Sequence, residues 1–444
     1  MFFLLLMPQD CSASIVILAA GQSRRFLSKK SKVLHPLSGA ALLQHSLDTA
    51  TAWDPLEIVV VASPLLAQDS SFSKLIKAYP HARVAIQHKP RGTADALRCA
   101  FEEAPPLGKS VMVLLGDVPL LTASTLKSCQ DHAHTHQADI CVMTLTPEDP
   151  TGYGRCIVDD QERLVRIVED KDATPDERTV SLCNSGIWWM TSDVLSRVKK
   201  LAPSPTTGEL YLTDVVQHAS VEGKICTFFA GPHDELLGIN TRADLMNAEH
   251  LSQQRLRHKA LAQGVTLYDM ATTFFSYDTC VAADVTIEPF VFIGPGVTLD
   301  EGVTVHAHTV ISHAHIQKNA SVGPFASISQ QTVLEESAVL GSFVEGKRLH
   351  MKKGAKAKHL SYLGDAVVGE HVNVGAGCVT CNYDGTHKHT TTIGSHTFVG
   401  ANTSLIAPLV IGEHSVVGAG SVITDDVPTK NLALGRGRQV NKQK

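Results

Sequence analysis

Aliphatic residues recur six positions apart through the second half of the chain. Val281, Ile287, Ile293, Leu299, Val305 and Ile311 form an unbroken run, and Ile316, Val322, Ile328, Leu334 and Leu340 continue it after a one-residue slip. Val368 and Val374 follow a break, and Ile393, Val399, Leu405, Ile411, Val417 and Ile423 close the series. Four residues past each rung stands another small or aliphatic side chain, among them Val285, Val291, Val297, Val303, Ala320, Ala338, Thr397 and Ser421. On an extended strand that position and the next rung face the same side. An amphipathic helix repeats about every 3.6 residues, and a sandwich places turn signals roughly every eight to twelve. A period of six predicts instead the hexapeptide form of a parallel β-helix, short strands joined by corners. Glycine often follows a rung (Gly294, Gly323, Gly341, Gly369, Gly375, Gly394, Gly400, Gly412, Gly418), which predicts corners with positive φ there. Between Leu340 and Val368 the rhythm yields to GKRLHMKKGAKAKHLSYLGD, which reads as a basic, solvated loop protruding from the β-helix.

Residues 14–240 follow a different pattern. Apolar strands (Ile15–Ala20, Glu57–Ala62, Val111–Leu115, Ile140–Thr146) alternate with helical stretches (Ala40–Ala50, Ala94–Ala104, Thr125–His134). The alternation predicts a doubly wound α/β sheet, which binds ligands at the carboxyl ends of its strands. Arg242–Gln263 is polar, with Leu245, Leu251, Leu256 and Leu261 at helical spacing, and reads as a connector. The expected domains are 1–240, a helical linker 241–263, and a β-helix 264–444.

With 444 residues there is core enough for two or three domains, and a net charge of −5 gives no sign of a nucleic-acid binder. Ten scattered cysteines suit reduced thiols in the cytoplasm. Cys378 and Cys381 form a lone C-x-x-C without a second pair to complete a zinc site, and Cys378 falls at an interior position of the hexads. The opening MFFLLLMPQD is too short for a signal peptide or a membrane span, so no membrane association is expected. The terminal RGRQVNKQK reads as a solvated tail.

The first strand runs directly into LAAGQSRRFLSKKSKVLHP. Gly21 lets backbone approach a ligand, and Arg24, Arg25, Lys29, Lys30 and Lys32 crowd the loop, which suits an anionic, phosphate-bearing substrate. The loop is neither a Walker loop nor G-x-G-x-x-G, and by itself a solvated basic loop explains it equally well. VLLGDVPLL adds Asp117 at the end of a very apolar strand, where a phosphate-bridging Mg²⁺ is a natural partner.

These motifs, together with Gln87 and Arg91-Gly92-Thr93, DPTGYGR, IVEDKDAT, NSG, HLSYLGD and GAGCVTCNYDG, resemble the bifunctional N-acetylglucosamine-1-phosphate uridylyltransferase/glucosamine-1-phosphate acetyltransferase family over nearly the whole chain. The resemblance implies an α/β Rossmann-like nucleotidyltransferase domain, a helical arm and a left-handed parallel β-helix that forms homotrimers in the cytoplasm. It implies uridylyl transfer from UTP to N-acetylglucosamine 1-phosphate and acetyl transfer from acetyl-CoA to glucosamine 1-phosphate, supplying peptidoglycan synthesis.

Carried over by position, Leu18, Ala19, Ala20 and Gly21 would line the nucleotide, and Gln87, Gly92 and Thr93 would read the uracil. Arg25 and Lys32 would hold the phosphates, and Asp117 and Asn240 the Mg²⁺. Gly154, Glu169 and Asn184 would hold the N-acetylglucosamine. Read without the family, Asn240 is more simply a helix cap and Glu169 a surface carboxylate. In the second half His359 would be the general base, and Lys347, Tyr362, Asn373 and Lys388 would surround the sugar phosphate. Ala376, Asn382, Tyr383, Ala401, Ala419 and Arg436 match positions used for acetyl-CoA, some from a neighbouring subunit.

Three positions depart from the family pattern. Ser23 replaces the second glycine of G-x-G-T-R, Ser329 replaces the second arginine of R-x-R-P-G, and Ala401 replaces a serine. The Ser329 departure removes a phosphate-binding cation, for which Arg348 or Lys358 offers compensation. Two readings of the second half therefore stay open: a working acetyltransferase, or a β-helix kept for structure alone. Glucose-1-phosphate adenylyltransferases share the plan but not HLSYLGD or CNYDG. A regulatory, non-catalytic subunit of this architecture would need none of Arg25, Lys32, Asp117 and Asn240.

Overall fold

The computed structural model describes residues 13–103 and 108–443. They form two compact units, the first running to Leu251 and the second starting at Ser252. The reading of the first ten residues lies outside the described residues. Among those described, no helix is long and apolar enough to cross a membrane.

In the first unit, strands β1 (Ala13–Leu18), β2 (Ile58–Ala62), β3 (Ala82–Ile86), β4 (Ser110–Leu115), β5 (Ile140–Leu145), β6 (Arg155–Val158), β7 (Leu164–Val168), β8 (Cys183–Thr191) and β9 (Cys226–Ala230) form one sheet. Its order is β9-β5-β8-β4-β1-β2-β3, with the β6–β7 hairpin attached to β8. Ile15, Val16 and Ile17 are all fully buried, as expected of a strand covered on both faces. One core gathers Val16, Val59, Val113 and Leu97; the other gathers Ile15, Ile17, Leu47 and Leu126. Helices α1 (Leu42–Ala52), α2 (Thr93–Glu103), α3 (Ala123–Thr135) and α4 (Asp214–Val221) belong to this unit.

The sheet is parallel except at β8 and the hairpin. β8 runs antiparallel to both β4 and β5. Running the opposite way, it starts where its neighbours end, and that delivers Asn184 to their carboxyl edge.

Helix α5 (Arg242–Ala262) begins at a reciprocal cap. The Asp244 N–H donates to Thr241 Oγ1 (3.2 Å), and the Thr241 N–H donates to Asp244 Oδ2 (2.8 Å). Ala248, Leu245 and Leu251 pack with Phe26, Leu37 and Ile239 in the first unit. Farther along, buried Gln253 and Arg257 satisfy the backbone of Thr273–Phe275 at the start of the second unit. Gln253 donates to Phe275 O (2.7 Å) and accepts its N–H (2.9 Å), and Arg257 Nε donates to Thr273 O (2.8 Å). Bonds of this kind cover an otherwise open sheet edge.

The second unit is a parallel β-helix with three short strands per coil. Ile293 stands beside Ile311, and Ile311 beside Ile328, one rung per coil, each almost completely buried. The second interior positions, Val285, Val303, Thr397 and Ser421, are buried as well.

Two expectations need correction. The basic stretch is not a loop: it forms the two longest strands of this unit, β10 (Val339–Met351) and β11 (Lys356–Val368), paired in parallel. The rungs continue through it as Gly346 and Leu363 above Ile328, Met351 above Leu334, and Ala357 above Leu340. Three of these rungs are Gly346, Met351 and Ala357, which a search for branched aliphatics passes over, although Val344, Leu349 and Leu363 are buried in the same interior.

The glycines after rungs are also not there for positive φ, apart from Gly323 at +96°. They are there because coils stack closely. A Cβ on Gly369 would lie 2.5 Å from Ser395 N, and one on Gly400 would lie 2.4 Å from Ala419 N. The left-handed corner falls three residues past the rung, at glycines such as Gly296, Gly302, Gly377 and Gly420 (φ 70–74°) and also at non-glycine positions such as Phe290, His308, Asn319, Phe325, His396 and Asn402 (φ 54–61°).

Candidate functional site

The carboxyl ends of β1 and β4 open into two adjoining hollows of about 650 and 250 Å³, which share Leu18, Thr93, Leu115, Asp117, Glu169 and Asn240. All the first-site residues named from the sequence line them. Leu18, Ala19, Ala20, Gly21, Arg25, Lys32, Gln87 and Gly92 face the larger hollow, and Gly154 and Asn184 the smaller. The Gly116 N–H donates to Leu18 O (3.0 Å), holding the two strand ends together just before Asp117. The Ile239 N–H donates to Asp117 O (2.9 Å), which brings Asn240 alongside.

Lys32 joins this group. Its Nζ pairs with the Asp117 carboxylate and donates to Asn240 Oδ1 (2.9 Å). Two hard oxygen donors thus converge on one positive charge, an arrangement that suits a hard divalent cation. Among the described residues no cluster of three His, Cys, Asp or Glu side chains could hold a metal. A cation here would draw on Asp117, Asn240 and ligand oxygens, as phosphate-bound metals commonly do. The capping role open to Asn240 is filled by Thr241 and Asp244, which leaves its amide oxygen to the cleft.

The Gln87 amide donates to Gly92 O (3.1 Å) and to Asp95 Oδ2 (2.9 Å) and is thereby fixed. Gly92 (φ +111°) is required: a Cβ would sit 2.4 Å from Leu210 O. The Leu210 N–H donates to Arg91 O (2.6 Å) and the Leu212 N–H to Thr93 Oγ1 (3.0 Å), so Leu210–Leu212 lies across the loop. This brings Glu209 and Tyr211 into the wall of the larger hollow and Thr213 into that of the smaller. Sequence reasoning missed all three; the signal was ELYLTD, a polar and aromatic alternation just before α4. Thr213 Oγ1 donates to Glu169 Oε1 (2.8 Å). Burial pushes the Glu169 carboxyl above its usual range, and Asp214, Asp172 and Glu209 push the same way, against the Thr213 bond.

Ser23 occupies the left-handed region (φ 53°, ψ 29°) that its replaced glycine would favour. Its hydroxyl accepts the Lys32 N–H (3.2 Å). A left-handed non-glycine residue costs roughly 1–2 kcal/mol, and such a bond returns about 0.5–1.5 kcal/mol. Ser23→Gly is therefore expected to leave the melting temperature within about 3 °C of the parent, since 1 kcal/mol moves a unit of this size by about 2–4 °C. A fall well beyond that in a thermal melt would show that the hydroxyl outweighs the strain.

In the second unit, Ser329, Lys347 and Gly364 share one register position on successive coils. His359 and Tyr362 lie on β11, opposite Ser342 and Glu345 of β10, and Asn373 pairs with Lys356. The His359 ring is exposed and has no hydrogen-bond partner among the described residues. Ala376, Ala401 and Ala419 descend one corner: the Asn402 N–H donates to Ala376 O (2.7 Å), and the Gly420 N–H to Ala401 O (2.8 Å). Arg436 Nη1 reaches Ala419 O (2.7 Å) at the end of this column. Asn382 is buried, and Tyr383 and Lys388 bridge the exposed loop after it. Cys378 is buried and donates to Gly400 O (3.2 Å), an interior residue as expected.

Residues 15–174 match the MobA-like NTP transferase domain, and residues 390–425 match the bacterial transferase hexapeptide (six repeats). The bifunctional protein GlmU of Azorhizobium caulinodans is 42% identical over 433 residues, 97% of this chain and 96% of its own. Those of Paramagnetospirillum magneticum and Agrobacterium fabrum are 41% and 42% identical, each over 96% of this chain and 94% of theirs. This chain belongs to the GlmU family. As a GlmU-family protein it is an enzyme with two transferase units, a nucleotidyltransferase of α/β fold followed by a left-handed parallel β-helix acyltransferase. Full-length likeness to GlmU proteins leaves nothing in favour of the adenylyltransferase or the non-catalytic reading. Nucleotidyl transfer in this family uses a divalent metal, which the Asp117–Asn240 oxygens fit.

Proposed function

We propose that the chain makes UDP-N-acetylglucosamine in two steps, acetyl transfer from acetyl-CoA to glucosamine 1-phosphate and uridylyl transfer from UTP to the resulting N-acetylglucosamine 1-phosphate. The observation that carries the reading is the gathering of Arg25, Lys32, Asp117 and Asn240 in one cleft with Gln87, Glu169 and Asn184. The metal is proposed to be Mg²⁺, held by Asp117 and Asn240, and it would neutralise phosphate charge when bound. The assembly is proposed to be a cytoplasmic homotrimer.

In uridylyl transfer, a phosphate oxygen of the sugar phosphate attacks the α-phosphorus of UTP. The bond to the β-phosphate breaks and pyrophosphate leaves. The residues of the cleft position and neutralise. Leu18–Gly21 line the nucleotide, Gln87, Gly92 and Thr93 meet the base, Arg25 and Lys32 oppose the phosphates, and Gly154, Glu169 and Asn184 meet the sugar. In acetyl transfer, His359 takes a proton from the amine as its nitrogen attacks the thioester carbonyl, the C–S bond breaks, and CoA leaves as the thiol. Lys347, Tyr362, Asn373 and Lys388 surround the sugar phosphate. Ala376, Asn382, Tyr383, Ala401, Ala419 and Arg436 serve acetyl-CoA.

The sugar phosphate meets one arginine fewer at Ser329. Ser329→Arg places a guanidinium beside Lys347 in register, and a charged hydrogen bond is worth about 1.5–3 kcal/mol. The expected result is a KM for glucosamine 1-phosphate lower by about tenfold or more with kcat little changed. An unchanged KM means another cation already fills the role.

The proposal is tested by assaying each half-reaction with the purified protein. UTP with N-acetylglucosamine 1-phosphate is expected to give pyrophosphate and UDP-sugar, and acetyl-CoA with glucosamine 1-phosphate to give free CoA thiol. Absence of either product refutes that half.

A further inference from the structure

One residue past the Ser329–Lys347–Gly364 column, each coil turns a left-handed corner, at Gln330 (φ 57°), Arg348 (φ 49°) and Asp365 (φ 47°). Their side chains are joined. Arg348 donates Nη1 to Gln330 Oε1 and grips the Asp365 carboxylate with Nε to Oδ1 and Nη2 to Oδ2, the last at 2.8 Å. Asp365 Oδ2 also accepts from Asn382 Nδ2 on the following coil. One polar chain therefore crosses four successive coils. The guanidinium holds the Asp365 carboxyl below its usual range, with Asn382 and the Lys388 ammonium acting the same way against burial.

Asn382 stands at the root of a structured loop. The His389 N–H returns to Asn382 O (2.8 Å), Tyr383 and Lys388 bridge antiparallel, and Asp384 Oδ1 accepts the N–H groups of Thr386 and His387, each at 2.7 Å. With Asn382 only 7% exposed, its side-chain amide has to be satisfied from within the corner, and Asp365 does this. Asp365 is itself held by a two-point grip that only arginine provides. A partly exposed ion pair of this kind contributes little to global stability. Its effect is local, at the end of the chain it fixes.

We propose that Arg348 and Asp365 are positioning residues of the acetyltransferase site: together they fix Asn382, and through it the loop that presents Tyr383 and Lys388. This rests on the reading of Lys388 as a sugar-phosphate ligand. With Nε, Nη1 and Nη2 all engaged, Arg348 is a strut, not the free cation that would replace the arginine absent at 329.

The test uses full-length protein and two readouts. In Arg348→Ala, the backbone amides of Thr386 and His387 are expected to exchange with deuterium about tenfold faster, while those of the rung strands keep their rates. The KM for glucosamine 1-phosphate rises about tenfold with kcat changed far less, and uridylyl transfer is unaffected. Arg348→Lys, which keeps the charge without the fork, recovers only part of the loss. Asp365→Asn keeps the shape, removes the charge pair and gives the same pattern; it decides the matter if Arg348→Ala does not fold. Unchanged exchange at 386–387, equal acceleration throughout the β-helix, or an unchanged KM despite faster loop exchange each overturns the proposal. If the parent fails to acetylate glucosamine 1-phosphate, the substrate reading is wrong, and the exchange rates alone decide whether the pair holds the loop.

Discussion

Asp117→Asn is expected to lower uridylyl transfer by two to three orders of magnitude while the protein stays folded. The substitution keeps the shape and removes the negative charge that, with Asn240 Oδ1, would hold the metal against the phosphates. It also removes the partner of Lys32, whose ammonium lies between those two oxygens. Loss of one preorganised electrostatic contact in a transfer site typically costs about 10²–10³ in rate. The variant should also need more Mg²⁺ to reach its own maximum, because one anionic ligand is gone. Steady-state rates across a Mg²⁺ titration check both points, with a thermal melt to show that the fold is intact. A full rate at ordinary Mg²⁺ would remove Asp117 from the site.

The second large effect is expected at His359. His359→Ala should reduce acetyl transfer by about 10²–10⁴, the usual range for a removed general base, and leave uridylyl transfer untouched. The ring is exposed on β11 and bonded to no other described side chain, so its loss leaves no buried group unsatisfied and should not disturb the coil. The Ser361 hydroxyl bonds to the His359 carbonyl, which the alanine keeps. Added imidazole is a useful companion measurement, since partial recovery would identify the missing function as proton transfer. An unchanged rate in His359→Ala would show that the base lies elsewhere.

The sequence showed some of this structure plainly and other parts not at all, and the difference is physical. The hexad ladder was visible because a thin β-helix interior admits one aliphatic residue per side, so its period is written directly into the chain. It vanished at 341–367 because Gly346, Met351 and Ala357 stand at the rungs there and break the six-residue run of aliphatics, while cations alternate outward. The glycines were found but misread: their role is clearance between coils, as at Gly369 and Gly400, and clearance depends on residues a full turn away. In the first site, Asp117 announced itself as a carboxylate ending an apolar strand. Glu209, Tyr211 and Thr213 did not, because they reach the cleft through Leu210, which crosses the Gly92 loop by tertiary hydrogen bonds. Asn240 looked like a cap until the structure gave that role to Thr241 and Asp244. The four-coil chain from Gln330 to Asn382 was hidden for the same reason, since its members are 17 or 18 residues apart and meet only when the coils stack.

Whether one chain performs both transfers in sequence is decided by a one-pot reaction. Purified protein is supplied with glucosamine 1-phosphate, acetyl-CoA, UTP and Mg²⁺, and every nucleotide sugar is identified by mass over time. Free CoA and pyrophosphate are expected in equal amounts at completion, with N-acetylglucosamine 1-phosphate as the transient and UDP-N-acetylglucosamine as the end product. Accumulation of UDP-glucosamine, or no nucleotide sugar unless N-acetylglucosamine 1-phosphate is added, would contradict this expectation.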